Sequence, residues 1–325
     1  MNPTHASIDV GSNTLRLLIA QPCIDPSSNQ PWKAIGYAHQ ITRLGEGLHE
    51  TGKLSLSGME RAVDALREFR SLIDHHKVQA QHIHAVATAA VREAENGIYF
   101  AELVQKETGI QISIISGNEE ASRSLLGASS VLHHEIRSDM LLFDIGGGST
   151  EFIRAHNHSL TDAISCKLGV VRLVETHLQS DPPSAEDYLA MKQAALSHLD
   201  RVEAFWSKTT SAPPKQMVGT AGTVTTLAAV LMSLVPYDPE KVNNYQIESD
   251  AFYQLRDRLL TMNHKQRESI PAIETGRADL IIAGLAIIEA IMEKWNYASF
   301  TTVDAGLLEG NWIKSYEAES SAPES

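Results

Sequence analysis

Apolar and polar positions alternate along this chain in an order that occurs twice. A strand-like run reaches Asp9 in Ser7-Ile8-Asp9-Val10, and another reaches Asp144 in Phe143-Asp144-Ile145. Behind the first, period-two patterning predicts strands over 15–20 and 34–43. A 3.6-residue period then predicts a helix over 57–75, a strand over 83–88, a helix over 98–108 and a strand over 110–116. Behind the second come strands over 151–155 and 163–167, then a helix starting near Val170. Ser184, after Pro182-Pro183, reads as the N-cap of a longer helix. The strand over 216–219 enters a turn of small residues, Thr220-Ala221-Gly222-Thr223, and a helix through Met232. Three strands followed by alternating helix and strand, in two copies, make a duplicated α/β fold.

The remaining segments read more simply. A helix over 278–295 carries an apolar stripe through Leu280, Ala283, Ile287 and Ile291, as expected of a core or interface helix. A last strand and turn fall over 300–306. The polar, proline-bearing stretch 207–216 reads as a surface loop, and the acidic, serine-rich tail from Glu317 as disordered.

Composition narrows the class. A chain of 325 residues with 43% hydrophobic and 21% charged positions suits two ordinary globular domains. The longest apolar run, 280–288, stops at Glu289, short of the roughly 18 residues a membrane helix needs. The N-terminus lacks the basic stretch and apolar core of a signal peptide, so the expected location is cytoplasmic. Cys23 and Cys166 form neither a disulfide framework nor a metal-ligand spacing and read as inert. The 14 histidines are scattered and read as surface residues. A net charge of −13 argues against broad nucleic-acid binding. Any anionic ligand would have to meet a local patch of cationic groups and backbone amides.

Such a patch is predicted at the repeated turns. Ile8-Asp9-Val10-Gly11-Ser12-Asn13-Thr14 and Phe143-Asp144-Ile145-Gly146-Gly147-Gly148-Ser149-Thr150 share one plan, their aspartates 135 residues apart (position 144 against position 9). Glycines Gly11 and Gly146, Gly147 and Gly148 let backbone N–H groups approach a phosphate. Ser12, Asn13, Ser149 and Thr150 add short donors. Asp9 and Asp144 suit a divalent cation held against phosphate oxygens. Ser116-Gly117-Asn118-Glu119-Glu120-Ala121 opens a helix, where two acids serve either the macrodipole or chemistry. Glu151 follows the glycine-rich turn directly. Hydrolysis of a phosphoanhydride needs a base for water and cations for the transferring group. Glu120, Glu151, Arg92 and an aspartate-bound metal make up such a set. Arg92, at a strand-to-helix junction, either reaches a phosphate or is a plain surface arginine.

The ordered set Asp9–Thr14, Thr88-Ala89-Ala90-Val91-Arg92, Ser116–Ala121, Asp144–Glu151, Gly219–Thr223 and Asp304-Ala305-Gly306 closely resembles the motifs of the exopolyphosphatase and guanosine pentaphosphate phosphohydrolase family. The resemblance runs from about Ser7 to Trp312. It implies two ribonuclease H-like domains of the actin, sugar-kinase and heat-shock ATPase superfamily with an interdomain cleft. The expected extents are 1–122 with 299–325 for the first domain and 123–298 for the second. It also implies release of terminal orthophosphate with magnesium. Glu120 is carried over as the base for the attacking water, and Glu151 as a water- or metal-positioning acid. Asp9 and Asp144 are carried over as metal-associated carboxylates. Ser12, Asn13, Arg92, Gly146, Gly147, Gly148, Ser149, Thr150, Gly222 and Thr223 are carried over as substrate contacts. Arg16 resembles a residue of members that also cleave guanosine pentaphosphate, and a strand-surface role is its alternative. The chain corresponds to the short, two-domain form, from which less processive action on long polyphosphate is expected.

The implied partners are inorganic polyphosphate or guanosine penta- or tetraphosphate, with a homodimer as a further expectation, and neither nucleic acid nor membrane. Two alternatives share the fold: an acceptor-dependent kinase, and a non-catalytic sensor of the guanosine phosphates. Hinges are expected near 122–128 and 297–301.

Overall fold

The structure is a computed structural model that describes residues 3–23, 30–157, 159–207 and 213–320. The chain divides into two compact units: Met1–Val131 with Ala305–Ser325, and Leu132–Asp304. The first contains β1 (His5–Val10), β2 (Thr14–Pro22), β3 (Trp32–Ile41), β4 (Ile83–Ala87) and β5 (Ile112–Ile114). The second contains β6 (Asp139–Ile145), β7 (Thr150–His156), β8 (Ser159–Cys166), β9 (Gln216–Thr220), β10 (Tyr245–Glu248) and β11 (Ser299–Thr302).

In the first unit the sheet order is β3-β2-β1-β4-β5. Strands β1 to β3 form an antiparallel meander, and β4 and β5 join in parallel. Parallel neighbours need a crossover, and helices Leu56–His75 and Gly97–Thr108 supply it. The second sheet, read from its β8 edge, runs β8-β7-β6-β9-β11 with the same directions, and adds β10 antiparallel at the far edge. Both units therefore have the ribonuclease H-like topology.

Burial explains the elements. Every residue of β1 is buried, as a central strand covered on both faces demands. Edge strand β3 keeps Lys33, Tyr37 and His39 outward or half-buried, which discourages pairing with another sheet. Helix Leu56–His75 starts at Ser55, whose hydroxyl accepts from Gly58 N at 3.1 Å, and buries Met59, Ala62, Val63, Leu66, Phe69 and Ile73. Ser184 and Asp187 close a capping box at the start of helix Ala185–Trp206, where the sequence predicts one.

Helix Leu280–Trp295 is buried on every side from Leu280 to Met292 and forms the spine of the second unit's core. Its one buried acid, Glu289, accepts from Tyr188 Oη at 2.6 Å and Lys192 Nζ at 2.8 Å, and pairs with Arg256 at 2.9 Å. Burial alone would raise this carboxyl's pKa, but the three donors outweigh it and hold it below the ordinary glutamate value. Because the folded pKa is the lower one, the stabilisation is complete above the unfolded pKa and fades as pH falls through the folded one. Glu289→Ala is expected to cost about 3 kcal/mol near neutral pH, because it leaves half-buried cations without their central partner. Urea melts near neutrality and in acid should show the difference shrinking as the pH drops. A constant difference would mean that Glu289 titrates alike in folded and unfolded chains.

The first unit is closed by helix Leu307–Ser320. Gly127 and Gly310 allow it to cross helix Gly117–Val131 at backbone contact. A Cβ at Gly310 would lie 1.7 Å from the Arg123 carbonyl oxygen, and one at Gly127 would lie 2.0 Å from that of Gly306. Asn311 donates to Ser7 Oγ at 2.9 Å and to the His84 carbonyl at 3.0 Å, and accepts from Arg123 at 2.6 Å.

Several expectations need correction. Residues 122–128, expected near a hinge, lie inside the unbroken helix Gly117–Val131 rather than in a connecting loop. The chain leaves the first unit after Val131 and returns after Asp304, whereas 122/123 and 298/299 were expected. The helix carries the first crossing further along, and β11 belongs to the second sheet. The tail is helical through Ser320, because Tyr316 stacks on Trp312 and Glu319 meets histidines of the first sheet. Residues 321–325 and 208–212, parts of the predicted tail and loop, lie outside the described residues. Strand β10 and helix Ser249–Leu260 went unread, since the stretch before them lacks clear periodicity. Cys166 is buried, and burial pushes its thiol up to about 11, in keeping with an inert role. No helix among the described residues is long and apolar enough to cross a membrane.

Candidate functional site

The two predicted turns are the same structure built twice. In the first unit Asp9 pairs with Arg16 across β1 and β2, and Val10 with Leu15. In the second, Asp144 pairs with Glu151 across β6 and β7, and Ile145 with Thr150. Gly11 N donates to Thr14 O at 3.2 Å, and Gly146 N to Ser149 O at 2.9 Å. Each position in one turn thus matches a position in the other at the constant offset seen in the sequence. The duplicated hairpin projects an aspartate and a polar turn from the C-terminal end of a central strand, where open α/β sheets bind ligands.

In the first unit Asp9 is 5% exposed. Its Oδ2 receives Arg16 Nε at 3.2 Å and Nη2 at 2.8 Å, a pairing the sequence reading did not anticipate. Burial alone would lower the pKa of Arg16. The adjacent Asp9 charge outweighs it and fixes the guanidinium in its cationic form. Asp9 Oδ1 is buried and has no hydrogen-bond partner among the described residues. A buried orphan carboxylate oxygen is costly unless something pairs with it, and a divalent cation fits that requirement. Ser12 and Asn13 are buried where their turn packs on residues 42–45. Ser12 O accepts from Gly45 N at 2.8 Å, and Asn13 O from Thr42 N at 2.9 Å.

The two acids after β5 separate in role. Ser116 N donates to Glu119 Oε2 at 3.2 Å and Glu119 N to Ser116 Oγ at 3.3 Å, a reciprocal helix cap. The Ser116 N–H holds the Glu119 carboxyl below its ordinary value. Glu120 is 6% exposed and accepts from Arg92 Nη1 at 2.8 Å, and the same Nη1 reaches Ile115 O at 3.0 Å. Arg92 and Glu120 are thus brought together, and Arg92 is not a plain surface arginine.

In the second unit Asp144 and Glu151 are both buried, and Glu151 is 1% exposed. Glu151 Oε1 accepts from Ser149 Oγ at 2.8 Å and Ser165 Oγ at 2.7 Å, so its side chain is held by two hydroxyls. Thr150 points into the core and donates its hydroxyl to Leu168 O, which ties the glycine-rich turn to the segment behind it. Val170 N and Val171 N, at the start of helix Val170–His177, donate to Gly146 O at 3.1 Å and Gly147 O at 2.9 Å. Gly169 is required there, because a Cβ would stand 2.2 Å from Gly147 O. Gly146, Gly147 and Gly148 remain half-exposed.

A third turn lies beside Asp144, whose register partner on β9 is Thr220. Ala221 follows with φ of 72°, a left-handed conformation that a non-glycine residue holds only when its surroundings over-determine it. Gly222 lies under Arg277: a Cβ there would be 1.6 Å from Nη1. Thr223 is buried against Gly284. Arg277, also paired with Glu274 at 2.9 Å, belongs to this constellation and was missed, because no motif surrounds it in the sequence.

Comparison with known proteins gives these features a family. The model described as the Ppx/GppA phosphatase family matches residues 24–319. Exopolyphosphatase 2 of Mycobacterium tuberculosis is 30% identical over 294 residues, covering 88% of this chain and 89% of that protein. The guanosine-5'-triphosphate,3'-diphosphate pyrophosphatase of Pseudoalteromonas atlantica is 28% identical over 306 residues, covering 94% of this chain and 57% of that protein. The chain spans only 43% of another curated relative. The crystal structure of the Aquifex aeolicus Ppx/GppA family member superposes with a TM-score of 0.80 at 30% identity, covering 98% of this chain and 99% of that one. With its duplicated Asp-x-Gly hairpins and a family match over almost its whole length, this chain belongs to the Ppx/GppA phosphatase family.

Proposed function

We propose that this protein is a phosphohydrolase that releases terminal orthophosphate from inorganic polyphosphate, from guanosine pentaphosphate, or from both. The observation that carries the reading is the twice-built hairpin, with an aspartate and a polar, glycine-bearing turn at the same register in each unit. The names of the relatives supply the substrate class.

In the first unit Glu120 is the base. Water attacks the terminal phosphorus, its proton passes to Glu120, the P–O anhydride bond breaks, and the shortened phosphate chain leaves as the anion. Arg92 keeps the Glu120 carboxylate oriented through its 2.8 Å bond and offers its other N–H groups to phosphate oxygens. Ser12 and Asn13 add polar contacts, and Arg16 turns a cation toward the same end of the sheet while restraining Asp9.

In the second unit Glu151 orders water or a hydrated cation. Gly146, Gly147, Gly148 and Ser149 line the phosphate-binding turn, and Thr150 braces it from behind. Gly222 and Thr223 form a further contact beside Arg277. Asp9 in the first unit, and Asp144 with Glu151 in the second, are carboxylates suited to a divalent cation such as Mg²⁺, whose hard character matches oxygen donors. When bound, such an ion neutralises phosphate charge and polarises the phosphoryl oxygens.

The test is orthophosphate release in the presence of Mg²⁺ from long polyphosphate, short polyphosphate and guanosine pentaphosphate in parallel, without any acceptor. Release from at least one is expected, and the three rates rank the substrates. A folded protein inert toward all three would overturn the hydrolase reading in favour of a kinase or sensor.

A further inference from the structure

At the opposite end of the first sheet, four residues meet that the proposed reaction does not use. His5 opens β1, His82 precedes β4, His84 lies within it, and Glu319 comes from the last turn of helix Leu307–Ser320. His82 Nδ1 lies 2.6 Å from Glu319 Oε2, His84 Nε2 3.1 Å from Oε1, and His5 Nε2 3.7 Å from Oε2. The rings gather as well: His5 lies 4.5 Å from His82 and 5.8 Å from His84 between centroids, the latter pair nearly parallel. His5 is fully buried, with Trp312 and Tyr316 edge-on against it. The expectation of scattered surface histidines is therefore corrected at these positions.

The geometry points to a transition-metal site here: His5, His82, His84 and Glu319 bind a divalent ion of the zinc type. Neither ring nitrogen of His5, nor Nδ1 of His82, has a hydrogen-bond partner among the described residues. The 2.6 Å approach of His82 to the carboxylate lacks hydrogen-bond geometry, so close polar atoms face one another without being satisfied. Buried polar atoms in that state ask for a ligand. The ligating atoms of His5, His84 and Glu319 lie within 4.8 Å of one another. A tetrahedral zinc ion with bonds of about 2.0–2.1 Å holds its ligand atoms roughly 3.3 Å apart, so modest side-chain rotation closes these three on an ion, with His82 Nδ1 beside Glu319 as the adjoining fourth donor. Burial pushes His5 down to about 4 and lowers His84 too, which keeps both imidazoles in the neutral, ligating form.

Three imidazoles and one carboxylate select Zn²⁺, Co²⁺ or Ni²⁺ over Mg²⁺, which takes oxygen donors. The site is also separate from the hairpin turn. His5 and Asp9 lie four residues apart on one strand, about 13 Å at the usual rise. Bound metal would clamp the first strand, β4 and the C-terminal helix together.

The test uses the full chain, stripped with a chelator and titrated calorimetrically with Zn²⁺ while excess Mg²⁺ occupies the oxygen sites. One Zn²⁺ per chain is expected, with Co²⁺ giving the intense visible bands of a tetrahedral nitrogen-rich site. Saturating Zn²⁺ should raise the melting temperature by on the order of 5 °C. His84→Gln and Glu319→Gln, both at partly exposed positions, should each weaken Zn²⁺ by about 100-fold or more while the far-ultraviolet dichroism stays unchanged. His5→Gln removes a buried ring and serves only as a third variant. Unchanged Zn²⁺ affinity in both of the first two, or an octahedral Co²⁺ spectrum, would overturn the site and assign the binding to other histidines or to the carboxylate turns.

Discussion

Glu120→Gln should lower orthophosphate release by about 10²–10⁴-fold, with the Michaelis constant nearly unchanged. The size follows from the loss of a positioned base, equivalent to about 3–5.5 kcal/mol of barrier. The substitution is a clean probe because the amide keeps the shape of the carboxylate and its oxygen can still accept from Arg92 Nη1. Glu119 should not substitute for it, since that carboxylate is spent on capping its own helix at Ser116. Steady-state release assays with the best substrate, alongside thermal melts, decide the matter. An unaltered turnover number removes Glu120 from the chemistry. A turnover loss accompanied by an equal loss of folded protein would recast it as structural.

Gly310→Ala carries the largest expected effect on stability. The new methyl would enter within 1.7 Å of the Arg123 carbonyl oxygen and 2.9 Å of Gly127 N, so it meets backbone on a facing helix rather than a side chain able to move aside. The helices must separate, and with them the Arg123–Asn311, Asn311–His84 and Ser7–Leu308 hydrogen bonds. Overpacking alone costs roughly 1–3 kcal/mol, and the lost bonds bring the expected total above about 3 kcal/mol. Gly109→Ala is the control. Its φ of 71° is unfavourable for alanine but nothing lies within 4 Å, so about 1 kcal/mol is expected. Equal unfolding midpoints for the two variants would show that the crossing tolerates a wider spacing.

The repeated hairpins were legible in the sequence because their chemistry is local: strand, aspartate, glycine and hydroxyl residues follow one another directly. The same holds for the helix capped at Ser184, where start signal and apolar periodicity agree, and for the periodicity of helix Leu56–His75. What escaped depends on register or on distant segments. The Arg16–Asp9 pairing requires knowing that these residues face each other across β1 and β2. Arg277 reaches Gly222 from a loop with no motif of its own. The separate fates of Glu119 and Glu120 follow from helical rotation, which turns one toward Ser116 and the other toward Arg92. His5, His82, His84 and Glu319 come together only because β1 and β4 are parallel neighbours and the last helix folds back onto them. Their separation along the chain hides any ligand spacing.

The path of the chain has a consequence for synthesis. The second unit is one continuous stretch, whereas the first is completed by a segment made after it. During translation the sheet of β1 to β5 emerges first, but its partner helix Leu307–Ser320, with buried Leu308, Trp312 and Ile313, emerges only after the whole second unit. At roughly 5–20 residues per second, that sheet waits some ten seconds or more with an apolar face uncovered. Helix Gly117–Val131 waits as well, its Gly127 groove open until Gly310 arrives. The first unit is thus exposed to aggregation while the second unit is being made, and helix Leu307–Ser320 acts as the latch that ends this interval.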